Sequence, residues 1–120
     1  MLYIVRGLRD GARGVTIRVR VLKKDNVRVV KTNDNTEHRV VDALVGDITG
    51  TIIMTLWDEN IDKVNEADIV DVKNGHVNTF KGRLILNVGK YGELSKVEEE
   101  AFPSVEQIIK KSRFKEHGES

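Results

Sequence analysis

Alternation of apolar and polar side chains predicts strands along most of the first ninety residues. Between Val15 and Leu22 the odd positions are all valine or isoleucine, whereas the even positions carry a threonine, two arginines and a leucine. A period of two is typical of a strand with one buried face. Similar patterns predict four more strands and a later extended stretch at residues 39–45, 51–57, 67–73, 83–88 and 94–97.

The strand at residues 51–57 has large apolar residues on both faces. Its even positions, Ile52, Met54 and Leu56, include no polar residue, so we expect this face to line the core. The odd face carries two threonines and an isoleucine, and it ends in Trp57. Since successive side chains on a strand point to opposite sides, Trp57 is predicted to point outward.

Turn signals occupy the segments between these strands. Residues 23–37 are polar and contain Asn-Asp-Asn at 33–35, which predicts a long hairpin loop. Gly46 and Gly50 flank a predicted tight turn in which they supply unusual φ angles. Residues 76–82 are predicted to form a loop that carries Phe80.

Two helices are predicted. Asp58 is placed to cap a short helix whose Ile61 and Val64 face inward. Near the other end of the chain, Ser104 and Gln107 match a capping box and are followed by apolar residues at helical spacing, which predicts a short C-terminal helix.

The order of three strands, a short helix and two strands is that of the OB-fold. We therefore expect an all-β, five-stranded OB-fold Greek-key barrel with a short helix between strands three and four and a short C-terminal helix. The barrel is expected over residues 1–98, and the helix and tail over residues 99–120. An SH3-like barrel has a similar number of strands, but the helix and the long first hairpin favour the OB-fold.

The composition narrows the range of functions. The 120 residues include no cysteine, which excludes disulfides and thiolate metal sites, and the three histidines lack helical ligand spacing. We expect no metal and no cofactor. There is no phosphate-binding loop or nucleophile elbow, so an enzyme is not expected. The N-terminus has no apolar run typical of a signal peptide or membrane span, which favours a cytoplasmic protein with no membrane partner.

Charge is unevenly distributed along the chain although the formal net charge is only +1. Residues 18–39 hold seven basic residues against three acidic ones, a local net charge of +4. Residues 76–92 hold Lys81, Arg83 and Lys90 with no acid, a local net charge of +3. Two basic segments of this kind are the pattern expected of a nucleic-acid-binding surface.

Two large aromatic residues, Trp57 and Phe80, accompany this positive charge. Aromatic side chains bind single-stranded nucleic acid by stacking on bases. Packing of Trp57 against the N-terminal segment, as a partly buried surface anchor, is the alternative to stacking. The residues expected to bind nucleic acid are Trp57, Phe80, His76, Asn78, Lys81, Arg83, Arg28, Lys31 and Arg39.

Four sequence motifs suggest a family. The lead-in LRDGARGV at 8–15, VGDITG at 45–50, TLWD at 55–58 and FKGRLILN at 80–87 resemble the archaeal single-stranded-DNA-binding proteins and the OB domains of replication protein A. The resemblance covers roughly residues 5–97. It implies that three aromatic positions stack on bases, and these correspond to Trp57, His76 and Phe80. The family more often has Trp or Tyr at the position of His76, so weaker binding or an altered preference is expected.

The sequence thus predicts binding of single-stranded DNA with little sequence preference, in replication, repair or recombination. Neutralisation of about four phosphates would give a log–log salt slope near −3. Other replication or repair proteins, or further OB-fold subunits, are the expected protein partners. Two alternatives remain: an interaction subunit of a replication protein A-like complex that assembles through the C-terminal helix, and an RNA-binding OB module.

Overall fold

The computed structural model describes residues 2–89 and 91–118, with the side chains of the last helix described through Ser112. The strands of this part of the chain are β1 Leu2–Tyr3, β2 Val15–Lys24, β3 Arg28–Lys31, β4 Glu37–Asp47, β5 Gly50–Trp57, β6 Ile69–Phe80, β7 Arg83–Asn87 and β8 Glu93–Val97. Two 3-10 helices span Val5–Gly7 and Asp58–Lys63, and the α-helix α1 spans Val105–Gly118.

Five of the strands pair in a closed circuit. β2 pairs with β4, β4 with β5, β6 with β7 and β6 with β2, all antiparallel, whereas β5 and β7 pair in parallel. The 3-10 helix Asp58–Lys63 connects β5 to β6. This connectivity is that of the OB-fold, so the predicted all-β fold and strand order are confirmed.

The interior of the closed sheet is filled by branched aliphatic side chains. The even face of β5 is buried as predicted, with Met54 and Leu56 fully covered. Ile61 and Val64 close one end of the interior, which confirms their predicted inward orientation. The other strands contribute the buried residues Val15, Ile17, Val19, Val21, Val41, Ala43, Val45, Val70, Val72, Val77 and Leu86.

The turn between β4 and β5 differs from the prediction. β4 continues to Asp47 and β5 begins at Gly50, so the turn itself consists of Ile48 and Thr49. Neither Gly46 nor Gly50 has a positive φ, and the expectation of an unusual backbone angle there was wrong. Gly46 is instead required by close packing, because a Cβ there would lie 2.7 Å from the Gly50 carbonyl oxygen and 3.1 Å from Cγ2 of Ile108.

The chain that follows β8 packs against β2, on the outside of the sheet. Arg20 donates hydrogen bonds to the carbonyl oxygens of Pro103 (2.6 Å) and Phe102 (3.4 Å). The capping box is present, since the Gln107 amide donates to Ser104 Oγ (3.1 Å) and the Ser104 amide to Gln107 Oε1 (2.8 Å). Two arginines of the first basic segment, Arg18 and Arg20, are therefore engaged on this side of the molecule.

Arg18 links β2, β6 and the segment that leads to α1. Its guanidinium makes two hydrogen bonds to Asp71 (2.6 and 2.9 Å) and one to Glu99 (2.5 Å). The hydrogen bonds from Arg18 lower the pKa of Asp71 below its ordinary value of 3.8. Glu99 is thus part of an ion-pair network with Arg18 and Asp71.

Replacement of Asp71 by asparagine is expected to lower the free energy of unfolding at pH 7 by on the order of 1 kcal/mol, because the pair is partly exposed and screened by solvent. Since the pKa of Asp71 is depressed in the folded state, its contribution is complete above the ordinary pKa and is lost as the pH falls through the folded-state value. Urea unfolding of Asp71→Asn and wild type at pH 7 and pH 3 measures this difference. The exposed control Asp10→Asn should have little effect at either pH, and an equal loss for Asp71→Asn at both values would contradict the ion-pair explanation.

Candidate nucleic-acid interface

Side chains that point out of the closed sheet form one continuous surface across four strands. In register, Thr55 lies beside Asn87, and Asn87 beside His76. One step along, Ile53 pairs with Ile85 and Ile85 with Asn78. The outer face, as we call this surface, comprises Val40, Asp42 and Leu44 of β4, Ile53, Thr55 and Trp57 of β5, His76, Asn78 and Phe80 of β6, and Arg83, Ile85 and Asn87 of β7.

A β-bulge in β6 puts His76, Asn78 and Phe80 on the outer face. Before the bulge the fully buried residues of β6 are Val70 and Val72, at even positions, whereas after it the buried residues are Gly75 and Val77, at odd positions. The register against β2 shifts at the same point, and Asn74 there has a φ of +55°. An extra residue in one strand reverses the facing of every residue beyond it. The prediction of a loop at 76–82 was wrong. Asn74 and Gly75 form an Asn-Gly pair, which often marks a turn, but here the pair forms the bulge.

The hairpin between β6 and β7 is only two residues long. Lys81 and Gly82 have φ angles of +51° and +79°, the pattern of a tight type I′ hairpin turn. Phe80 is 52% exposed, and Nζ of Lys81 lies 5.4 Å from the centre of its ring. Arg83 is the register partner of Phe80 and is also exposed. The turn therefore brings an aromatic ring and two cations together at one end of the outer face.

Trp57 lies near the opposite end of this surface. It is partly exposed and points outward, as its strand position predicted. The His38 ring contacts it edge-on, with ring centres 5.9 Å apart and an interplanar angle of 73°. Register partners form rows across the sheet. The row that contains Trp57 is three steps of two residues from the row that contains Phe80, a span of about 20 Å along the strands. A cleft of about 460 Å³ adjoins Trp57 and is lined by His38, Asp58, Glu59, Asn60, Lys63, Val88, Gly89 and Gly92.

Asp58 does not cap the 3-10 helix that it begins. The residue at the N-cap position is Trp57, and no side chain caps the helix. The Asp58 carboxylate instead accepts hydrogen bonds from Nδ1 of His38 (2.7 Å) and from the Arg39 backbone amide (3.0 Å). The His38 hydrogen bond, with a contribution from Arg39, lowers the pKa of Asp58. Asp58 is thus held ionised and turned back towards β4.

Polar side chains occupy the middle of the outer face. Asn87 donates a hydrogen bond to Asn78. Asp42 accepts hydrogen bonds from Arg28 (3.2 Å) and from Thr55 (3.1 Å). The candidate list from the sequence included neither Asn87 nor Asp42. The alternation of Leu84 and Leu86 contained the signal for Asn87, because it implies that residues 83, 85 and 87 point the other way.

The basic residues predicted to bind nucleic acid do not all lie on the outer face. Arg28 does, since it pairs with Val40 across β3 and β4. Lys31 and Arg39 point to the opposite side of the β3–β4 hairpin, because side chains alternate along a strand. The Arg39 guanidinium donates hydrogen bonds to the Asp58 carbonyl (3.1 Å) and to the Asp62 carboxylate (3.1 Å). Lys90 is outside the described residues. The structure therefore brings Arg28, Lys81 and Arg83 to the surface that carries the aromatics.

Among the side chains described, those of residues 2–89 and 91–112, no group of three or more acidic, histidine or cysteine residues is arranged to hold a metal ion. No helix in the same part of the chain has the length and apolar character needed to span a membrane.

Comparisons with known proteins show the family of this chain. Residues 8–96 match the family described as “Single-stranded DNA binding protein Ssb-like, OB fold”. The chain is 32% identical over 104 residues to the single-stranded DNA binding protein Ssb of Saccharolobus solfataricus, a match that covers 87% of this chain and 70% of that protein.

Solved structures agree on the fold. The second OB-fold domain of replication protein A from Methanococcus maripaludis superposes with a TM-score of 0.70 at 26% identity, covering 82% of this chain and 97% of the domain. A replication protein A heterotrimer bound to single-stranded DNA gives a TM-score of 0.70 at 18% identity, over 86% of this chain and 26% of that one, and supports the fold alone. The chain belongs to the OB-fold family of Ssb-like single-stranded-DNA-binding proteins.

Proposed function

We propose that this protein binds single-stranded DNA along the outer face, with one base stacked on Trp57 and another on Phe80. The observation that carries the proposal is the strand register, which puts both aromatics on one surface together with Arg28, Lys81 and Arg83. Stacking accepts every base because each has a π-face, so the proposed binding has little sequence preference.

Phosphate contacts supply the second part of the proposed interaction. Lys81 and Arg83 make no ion pair with any described acidic residue, whereas Arg28 forms a salt bridge with Asp42. Three cations on the outer face correspond to a log–log salt slope of about −2 for a single strand, since each neutralised phosphate contributes about −0.7. The value is smaller than the −3 expected from the sequence because Lys31 and Arg39 face away.

The double variant Lys81→Ala/Arg83→Ala is expected to reduce the magnitude of this slope from about 2 to about 0.7. Titrations of a fluorescein-labelled oligo-dT at several salt concentrations, followed by anisotropy, give the slope for each protein. Arg39→Ala is the matched control, because it removes a basic residue of the opposite face and should leave the slope unchanged. A slope altered by Arg39→Ala but not by the double variant would overturn the proposed orientation of the DNA.

The proposed role is that of a non-enzymatic binding module in replication, repair or recombination, with residues 1–98 as the binding domain and 99–120 as the C-terminal helix and tail. Further replication or repair proteins and OB-fold subunits are its proposed protein partners. The packing of Ile108 of α1 against Gly46 of the same chain makes DNA binding a better explanation of the fold than assembly through that helix. Competition between oligo-dT and oligo-U of equal length distinguishes the DNA proposal from RNA binding.

A further inference from the structure

Trp57 occupies a position in which an indole would ordinarily be mobile. It is the last residue of β5, and its side chain is partly exposed on the outside of the sheet. A mobile side chain must be immobilised when a base stacks on it, and this ordering lowers affinity. A contact that fixes the ring before DNA arrives removes that cost.

The His38 ring makes such a contact. It lies edge-on to the indole, a geometry that aromatic pairs favour because the positive edge of one ring meets the negative face of the other. His38 comes from β4 and Trp57 from β5, so the contact joins two strands. It leaves the indole partly exposed, as stacking requires.

His38 is itself held in place by Asp58. The carboxylate binds Nδ1 of His38 through one oxygen and the Arg39 backbone amide through the other. Asp58 reaches this position with a φ of +50°, a left-handed conformation that is unfavourable for most residues other than glycine, asparagine and aspartate. A strained backbone persists only where surrounding contacts maintain it, and at Asp58 these contacts are the hydrogen bonds from His38 and Arg39.

We propose that His38 and Asp58 are positioning residues, which hold the Trp57 indole in the orientation that stacks on a base. The proposal rests on the stacking role of Trp57 given above. It assigns these two residues no contact with DNA of their own. Their effect on affinity therefore passes entirely through Trp57.

Two variants remove the positioning contacts. His38→Ala removes the ring, and Asp58→Gly removes the carboxylate while permitting the positive φ. Each is expected to weaken binding of oligo-dT by roughly 2- to 12-fold, the range that corresponds to immobilisation of one side chain. Each should also lower the fluorescence anisotropy of Trp57 in the free protein, which reports this residue alone because the chain has a single tryptophan. Val29→Ala, on the opposite side of the same hairpin, is the control and should change neither value.

A double-mutant cycle with Trp57→Ala separates positioning from direct contact. His38→Ala is expected to add no further loss of affinity once Trp57 is absent. An equal loss in both backgrounds would mean that His38 contacts the DNA itself, and unchanged anisotropy and affinity in both single variants would mean that it does not position Trp57. Either result overturns the inference. If Trp57→Ala alone has no effect on binding, the proposed stacking role fails instead, so the two failures are distinguishable. Should His38→Ala not fold, Asp58→Gly provides the same cycle.

Discussion

Replacement of Trp57 by alanine is expected to weaken binding of a short oligo-dT by roughly 5- to 150-fold, and Phe80→Ala by a similar factor. The range follows from about 1–3 kcal/mol for each stacked base. The two rings lie near opposite ends of the outer face, about 20 Å apart along the strands, so they are expected to hold different nucleotides. The free-energy losses should therefore be close to additive in the double variant.

Fluorescence anisotropy of a labelled oligonucleotide measures these losses without relying on tryptophan emission. Phe102→Leu is a suitable control, because this aromatic lies beside Arg20 of β2, a strand that contributes no residue to the outer face. It should leave DNA affinity unchanged. Loss of affinity in Phe102→Leu, together with wild-type binding by Phe80→Ala, would mean that DNA does not bind on the outer face.

Substitution of Gly46 by alanine is expected to lower the free energy of unfolding by about 1–3 kcal/mol, the usual cost of overpacking a close contact. The added Cβ would lie 2.7 Å from the Gly50 carbonyl oxygen. Because that oxygen belongs to the backbone of the adjacent strand, it cannot move without disturbing the β4–β5 turn. The same Cβ would press on Ile108, the buried residue through which α1 packs on the sheet.

Urea unfolding compares this variant with Gly7→Ala. At Gly7 a Cβ would meet only Cγ1 of Ile4 at an ordinary 3.8 Å, and the backbone φ is not positive. Gly7→Ala should therefore be close to neutral. Equal stability of the two variants would show that the chain at Gly46 relaxes more easily than its contacts imply.

Much of the fold follows from local patterns. The alternation in β2 and β5 identified strands with a buried face, and the outward direction of Trp57 followed from parity alone. The capping box at Ser104 and Gln107 correctly placed the start of the C-terminal helix. In each of these cases the residues that determine the local structure are near neighbours, so a short stretch of sequence is enough to predict it.

Features that depend on contacts between distant strands could not be predicted. The bulge at Asn74 is visible only when β6 is aligned with β2, because Asn-Gly also suggests a turn. Arg18 pairs with Asp71, which lies 53 positions away in the sequence. Asp58 was assigned to a helix cap, whereas its partner His38 is 20 positions earlier on another strand. Which basic residues lie on the outer face depends on the pairing of distant strands, and charge counts along the chain do not show that pairing.

Titration of the wild-type protein with oligo-dT at low salt, followed by the intrinsic fluorescence of Trp57, is the most direct test of the proposed binding surface. Because Trp57 is the single tryptophan of the chain, any change in emission reports this position. We predict saturable quenching whose binding constant falls with a log–log salt slope of about −2. Binding of the oligonucleotide with no change in Trp57 emission, or no binding at all at low salt, would contradict DNA binding on the outer face.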